Sequence, residues 1–409
     1  MPMFNKIKTS INKVKNKNSS KTIQEKIAEN YNSYIYTSGT PIWSDKNYNN
    51  FANEAYRKNV IAHRAMRMVA QAAASIPFTL YKYFEDEKHL LERHPILDML
   101  SNPNPTQGSK EFMESIYIYK QLSGDAYILM SGMDENNKAA ELYSLRPDRI
   151  TIIAGDNLLP SGYRYSVDSS NITYPVDSIT GLSNILHIKT FNPLSDWYGL
   201  SAVESALYSI DQHNQAGAWN QTLLQNAARP SGAIVVKNAE GKPMSLNETE
   251  RHNLRESIEE TFCGSANAGR PILLEGGLEW KEMSWSPRDM DYISSKNNSA
   301  REIALAFGVP PQLLGIPGDN TYANLVEARV ALWEQTIIPM VESVVSKINT
   351  WITSYFDEDL YLSYNINEVS SLADRVDTMW NRLEKSNFLT RDEKRKAAGF
   401  SPIDSDKSK

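Results

Sequence analysis

The chain has 409 residues, 41% hydrophobic and 22% charged, enough to bury a large core in two or three domains of an ordinary folded protein. Its single cysteine, Cys263, excludes an internal disulfide and a thiolate metal cluster, and it fits a reducing compartment. The net charge of −6 conceals an asymmetry: residues 1–21 carry six lysines and no acid, which leaves −12 on the other 388 residues.

A basic arm rich in Asn and Ser thus precedes an acidic body. Such an arm suits nucleic acid or an acidic partner surface, although composition alone favours a solvated tail. It lacks the apolar stretch of a secretion signal. No run of 18 or more apolar residues occurs, so no membrane span is expected.

Ordered structure is expected from about Phe51. An amphipathic helix through Val60, Ala65, Met68 and Ala72 turns at Pro77 into an alternating strand at Phe78, Leu80, Tyr81 and Tyr83. "HPILDMLSNPNPTQGSKEFMESIYIYKQL" predicts a short helix, a turn, and a second helix capped by Ser109. "GDAYILMSG", "ELYSLRPDRITIIAG", "YRYSV" and "NILHIKTF" read as strands.

After Pro193 the pattern turns helical. Four starts pair a hydroxyl with an acid three residues on: Ser201 with Glu204, Ser245 with Glu248, Ser286 with Asp289, and Thr390 with Glu393. The Ser245 helix sets Leu254, Ile258 and Phe262 on one stripe and stops at Gly264. Two short strands are expected around Gly276 and Gly277. The Ser286 helix then runs to about Phe307, with Ile293, Ala300, Ala304 and Phe307 to one side. Its middle, "SSKNNSAR", is unusually polar for a core helix, which suits exposure or packing against copies of itself. After a Pro- and Gly-rich loop, Leu325, Ala328, Leu332, Ile337, Val341, Val344, Val345 and Ile348 keep helical spacing across Pro339, where a kink is expected. The last 57 residues read as a small, mostly helical cap.

The sequence shows no catalytic constellation. No G-x-x-x-x-G-K-[ST] loop occurs, since Gly241–Lys242 is followed by Pro243, and no G-x-S-x-G elbow is present. The six histidines are scattered and read as surface residues rather than metal ligands. Acidic runs such as "RESIEE" read as solvated faces. No catalytic, cofactor-binding or metal-ligating residue is assigned. A conduit or structural role fits better than the alternative, a nuclease working through dispersed carboxylates.

The ordered motifs resemble the portal proteins of tailed bacteriophages, of the HK-type lambdoid class. The resemblance covers roughly residues 51 to 402 and is carried by "LSNPNP", "ELYSLRPDRI", "NPLSDWYGLSAVESALYSI", "NAARPSGAIVV", "EIALAFGVPPQLLG", "NTYANLVEARVALWEQTIIPMVESV" and "LTRDEKRKAAGFSPI", among others. It implies an α+β portal fold and a dodecameric ring at a capsid vertex. The chain's partners would be copies of itself, double-stranded DNA in the channel, the terminase large subunit, a head-tail adaptor and the major capsid protein. The protein would belong to the virion, assembled in the host bacterial cytoplasm.

By the same resemblance, residues 1–50 form a flexible arm, 51–244 the wing, and 245–307 two stem helices (245–263 and 286–307) around a clip at 264–285. Residues 308–320 become the tunnel loop, 321–352 the kinked helix and 353–409 a short crown. The tunnel loop would set Val309, Gln312, Leu313, Leu314, Ile316, Asp319 and Asn320 toward DNA, and the stem helix would add Lys296, Asn297 and Arg301 to the lining. Arg270, Glu275, Glu279 and Trp280 would dock partners at the clip. A physical reason favours such a loop. Each phosphate that a lysine neutralises tightens the grip on a duplex, with a salt slope of about 0.9 per contact. "VPPQLLGIPGDN" holds no cation, so it would let DNA slide.

Overall fold

The structure is a computed structural model. It describes residues 43–84, 87–132, 141–155, 160–225, 232–238, 241–242, 244–262, 277–282, 291–318, 321–356, 358–366 and 369–398. Ser44–Lys409 form one compact unit.

The chain enters this unit through a helical turn, Tyr48–Asn50, that runs into a π-helix, Phe51–Lys58. Asn59 then caps α1 (Val60–Ala74), its side-chain oxygen accepting from the N–H groups of Ile61 and Ala62. The buried face of α1 is Ala62, Ala65, Met66, Val69, Ala70 and Ala73, while Val60 is exposed and Met68 and Ala72 only partly covered. The expected stripe is therefore rotated. α2 (Pro95–Ser101) is capped by the His94 ring. α3 (Ser109–Ser123) has Gly108 rather than Ser109 at its N-cap and ends on Gly124 at φ 82°. The two long helices α1 and α3 pack together.

The described residues also form four small antiparallel sheets. β1 (Phe78–Phe84) lies between β2 (Glu87–Leu91) and β11 (Leu360–Tyr364). β3 (Asp125–Ser131) lies between β4 (Glu141–Leu145) and β8 (Ile185–Lys189). β5 (Ile150–Ala154), β6 (Pro160–Val167) and β7 (Ser170–Pro175) form a meander. The two-residue period of β3 divides the interior. Ala126, Ile128 and Met130 face the main core beneath α3, whereas Tyr127 joins Leu145, Ile150, Tyr163 and Ile185 in a second cluster.

The C-terminal half supplies α4 (Ala202–Gln225), α5 (Glu248–Phe262), α6 (Tyr292–Ala306), α7 (Tyr322–Leu332), α8 (Ile338–Thr353), α9 (Ala373–Lys385) and α10 (Arg391–Ala397). A π-turn, Trp333–Ile337, joins α7 to α8, with Pro339 in the first turn of α8. The chain absorbs the missing proline N–H there through a local change of helical winding. Ala328, Leu332, Ile337, Val341, Val344, Val345 and Ile348 are all buried.

Two expected boundaries are crossed by strand pairing. β10 (Leu278–Glu282), the second of the two strands expected around Gly276 and Gly277, pairs with β9 (Gly232–Val236), which precedes α5, and the first lies outside the described residues. The C-terminal cap also gives β11 back to β1, so its first strand belongs to the N-terminal sheet. The helix expected from Ser245 begins later than its hydroxyl signature. Asn247, not Ser245, exchanges bonds with Glu250 at the start of α5, and α6 starts at Tyr292 behind Asp291. Ser286 lies outside the described residues.

Candidate functional site

The site under test is α6 and the loop that follows it. α6 packs against α4, with Ser299 reaching Gln212, while Ala300 and Ala304 pack with Ile316 of the following loop. Polar ties reinforce the pair. Ser209 donates to Glu302 at 2.5 Å, and the Tyr292 hydroxyl donates to the Ala216 carbonyl beneath Trp219, whose ring centroid lies 5.6 Å away. Ile293 lies in line with Ala300 and Ala304 by helical spacing, but it sits in the first turn of α6 and is 73% exposed, and Leu305, on another side of the helix, is 78% exposed.

At the end of α6 the backbone reverses on Gly308, at φ 64°. Thr336, in the π-turn, donates to the Gly308 carbonyl at 2.7 Å and leaves no room for a side chain there. Val309 N–H returns to the Ala304 carbonyl at 2.9 Å. Pro311–Leu314 make one 3₁₀ turn closed by Gly315 at φ 71°. Farther on, the Arg301 guanidinium donates to the Pro317 carbonyl. The loop is thus held at both ends.

This geometry sorts the residues expected to meet DNA. Val309 is 2% exposed in the main core, and Ile316 is 4% exposed in a small cluster with Ala300 and Ala304. Both are apolar, and both are consumed by packing, so neither presents a channel surface. Leu313 and Leu314 are half-buried against the same clusters. Gln312 is partly accessible, while Gly315, Pro317 and Gly318 are exposed. Asp319 and Asn320 lie outside the described residues. On α6, Lys296 and Asn297 are partly covered, and Arg301 is exposed while holding the loop.

Of the residues expected to dock partners, Arg270 and Glu275 lie outside the described residues. Glu279 is exposed on β10 and ion-paired with Lys237, which holds its carboxyl below the usual carboxylate range. Trp280 is the backbone register partner of Ile234 in the β10–β9 pair.

The histidines are not all superficial. His187 stacks on Tyr127 at 4.5 Å and contacts the Asp125 carboxylate at 2.7 Å, both side chains buried. His213 lies 3.2 Å from Asn59 inside the protein. Burial, and next the nearby Lys296 charge, hold its pKa below the ordinary imidazole value. Sequence reasoning missed both, because single histidines carry no periodic signal. Among the described residues, no three His, Cys, Asp or Glu side chains come together as a metal site. No described helix is long and apolar enough to cross a membrane.

The family model described as phage portal protein matches residues 61–399. The chain belongs to the phage portal protein family. An uncharacterised protein of Rickettsia bellii (strain RML369-C) is 41% identical over 350 residues, covering 86% of this chain and 89% of that protein. The portal protein of Enterobacteria phage HK97 is 22% identical over 298 residues, 71% of this chain and 66% of that protein. Among solved structures, a chain from the neck of a native GTA particle computed with C12 symmetry is 36% identical, with a TM-score of 0.65 over 90% of this chain and 97% of that one. The portal family is structural rather than enzymatic.

Proposed function

We propose that this portal protein assembles as a closed twelvefold ring at one vertex of a phage or gene-transfer particle and forms the conduit for double-stranded DNA. The terminase large subunit docks on it during packaging, a head-tail adaptor follows, and the major capsid protein surrounds it. The observation that carries this reading is the 36% identity, over nearly the whole chain, to a component of a particle neck computed with C12 symmetry. Exposed apolar residues support a ring contact. Leu305 on α6 and Tyr322, 84% exposed at the start of α7, offer apolar area to such a contact. In a ring such surfaces meet a different surface on the next copy.

Within that ring the loop after Phe307 faces the duplex through Gln312, the glycines and the backbone rather than through Val309 and Ile316. The doubled anchorage, by Thr336 and Arg301, makes it a fixed collar. Gln312→Lys combined with Asn320→Lys tests this. Two new cations per subunit, repeated round a ring, become many phosphate contacts, each adding about 0.9 to the salt slope. Packaging assays with purified particles should show slowed or stalled DNA entry, relieved in part by salt, while rings still assemble. Unchanged packaging with both lysines verified in the particle would remove the loop from the channel wall.

A further inference from the structure

The C-terminal helix pair has a feature that neither the channel nor the ring accounts for. α10 is started by a reciprocal cap: Thr390 N–H donates to the Glu393 carboxylate at 2.7 Å, and Glu393 N–H donates to Thr390 Oγ1 at 3.3 Å. Lys394 reaches back to the Glu384 carbonyl at 3.1 Å and ties α10 to the end of α9. Between the two helices opens a groove of about 440 Å³. Trp380, Leu383 and Glu384 of α9 line it together with Arg391, Lys394 and Arg395 of α10 and Ala398 just beyond, and its wall is mostly apolar. Trp380 is 45% exposed, and Phe388, in the connecting turn, is 85% exposed.

We propose that this groove docks an acidic amphipathic helix from another protein, its apolar face on Trp380 and Leu383 and its carboxylates along Arg391, Lys394 and Arg395. Charge complementarity selects the occupant. Three cations of α10 are among the residues lining an apolar trough on a chain whose body is otherwise acidic. A duplex would satisfy the cations, yet it offers phosphates and sugars and no apolar ridge to fill the floor. A helix supplies both, with side chains at three- and four-residue spacing on one face. Glu384, on α9, favours a basic residue at one end of the incoming helix and so sets its direction. The inference stands apart from the channel, and its failure would leave the portal reading intact.

The test uses the full-length protein and a fluorescein-labelled synthetic helix with leucines at i, i+3, i+4 and i+7 and glutamates elsewhere. Fluorescence anisotropy should show saturable binding. Arg391→Glu with Lys394→Glu should weaken it at least about tenfold, and Trp380→Ala should weaken it similarly. The matching helix with lysines in place of glutamates should bind the charge-reversed variant better than the unaltered protein, a swap that misfolding would not produce. A helix with serines in place of leucines should not bind. Absence of binding by the leucine–glutamate helix, affinity indifferent to these substitutions, or displacement by a short DNA duplex would each overturn the proposal.

Discussion

Asp125 opens β3 with its carboxylate buried, accepting from Gly199 N–H at 2.8 Å and touching the His187 ring at 2.7 Å. Gly199 in turn lies against Gly124, the residue that ends α3, where Thr190 N–H reaches the Gly124 carbonyl at 2.8 Å. One side chain therefore joins a helix end, a strand and the loop leading to α4. Asp125→Ala would strand a backbone N–H and a ring nitrogen in a dry interior, and should cost about 2–4 kcal/mol in urea unfolding. His213 gives a pH test. Its folded pKa lies below the unfolded value of 6.5, because burial and Lys296 disfavour the imidazolium. The unfolded chain thus binds more protons in that window, and stability falls as pH drops below about 6.5. Urea midpoints measured at several pH values should show this loss, and His213→Gln should remove His213's share of it while the carboxylate-dependent loss at lower pH remains.

At the level of elements, the clearest sequence signal was the apolar spacing from Ala328 to Ile348, and those residues are the buried ones. A long helix packed along one face must repeat near every 3.6 residues, so its period is visible without the fold. α1 was harder. Ala, Val and Met occupy two adjacent faces, and only the contact with α3 decides that Ala62, Met66 and Val69 turn inward while Val60 stays out. The pairings of β11 with β1 and of β10 with β9 join segments far apart in sequence, which no local pattern can specify. Two residues of the loop after Phe307, Val309 and Ile316, are buried within the subunit, and the sequence hides this for a related reason. Apolar side chains in an irregular segment carry no period, so nothing in the sequence shows that Val309 and Ile316 each pack into an apolar cluster of the subunit. Gly308 was legible as a break but not as a lock. Gly308→Ala would force a side chain into the left-handed region and set Cβ 2.5 Å from Thr336 Oγ1. A loss of about 2 kcal/mol or more is expected by thermal unfolding. Adding Thr336→Ala should recover only the steric part, because the backbone angle is unchanged.

For the whole molecule, charge and surface belong to one account. The body carries −12 once the lysine-rich arm is set aside, which disfavours a tight static grip on DNA and suits a wall past which DNA slides. Exposed Leu305 and Tyr322 offer apolar surface to an adjacent copy, and the proposed ring of twelve rests on the chain's likeness to a component of a particle neck computed with C12 symmetry. Electron cryo-microscopy of particles assembled with this protein tests that claim most directly. The account predicts a closed ring of twelve copies at one vertex, an open axial hole, and Gln312 with the Gly315–Gly318 turn nearest the axis. A protein found only as monomer in those preparations, or a ring whose Gln312 loop faces away from the hole, would contradict it.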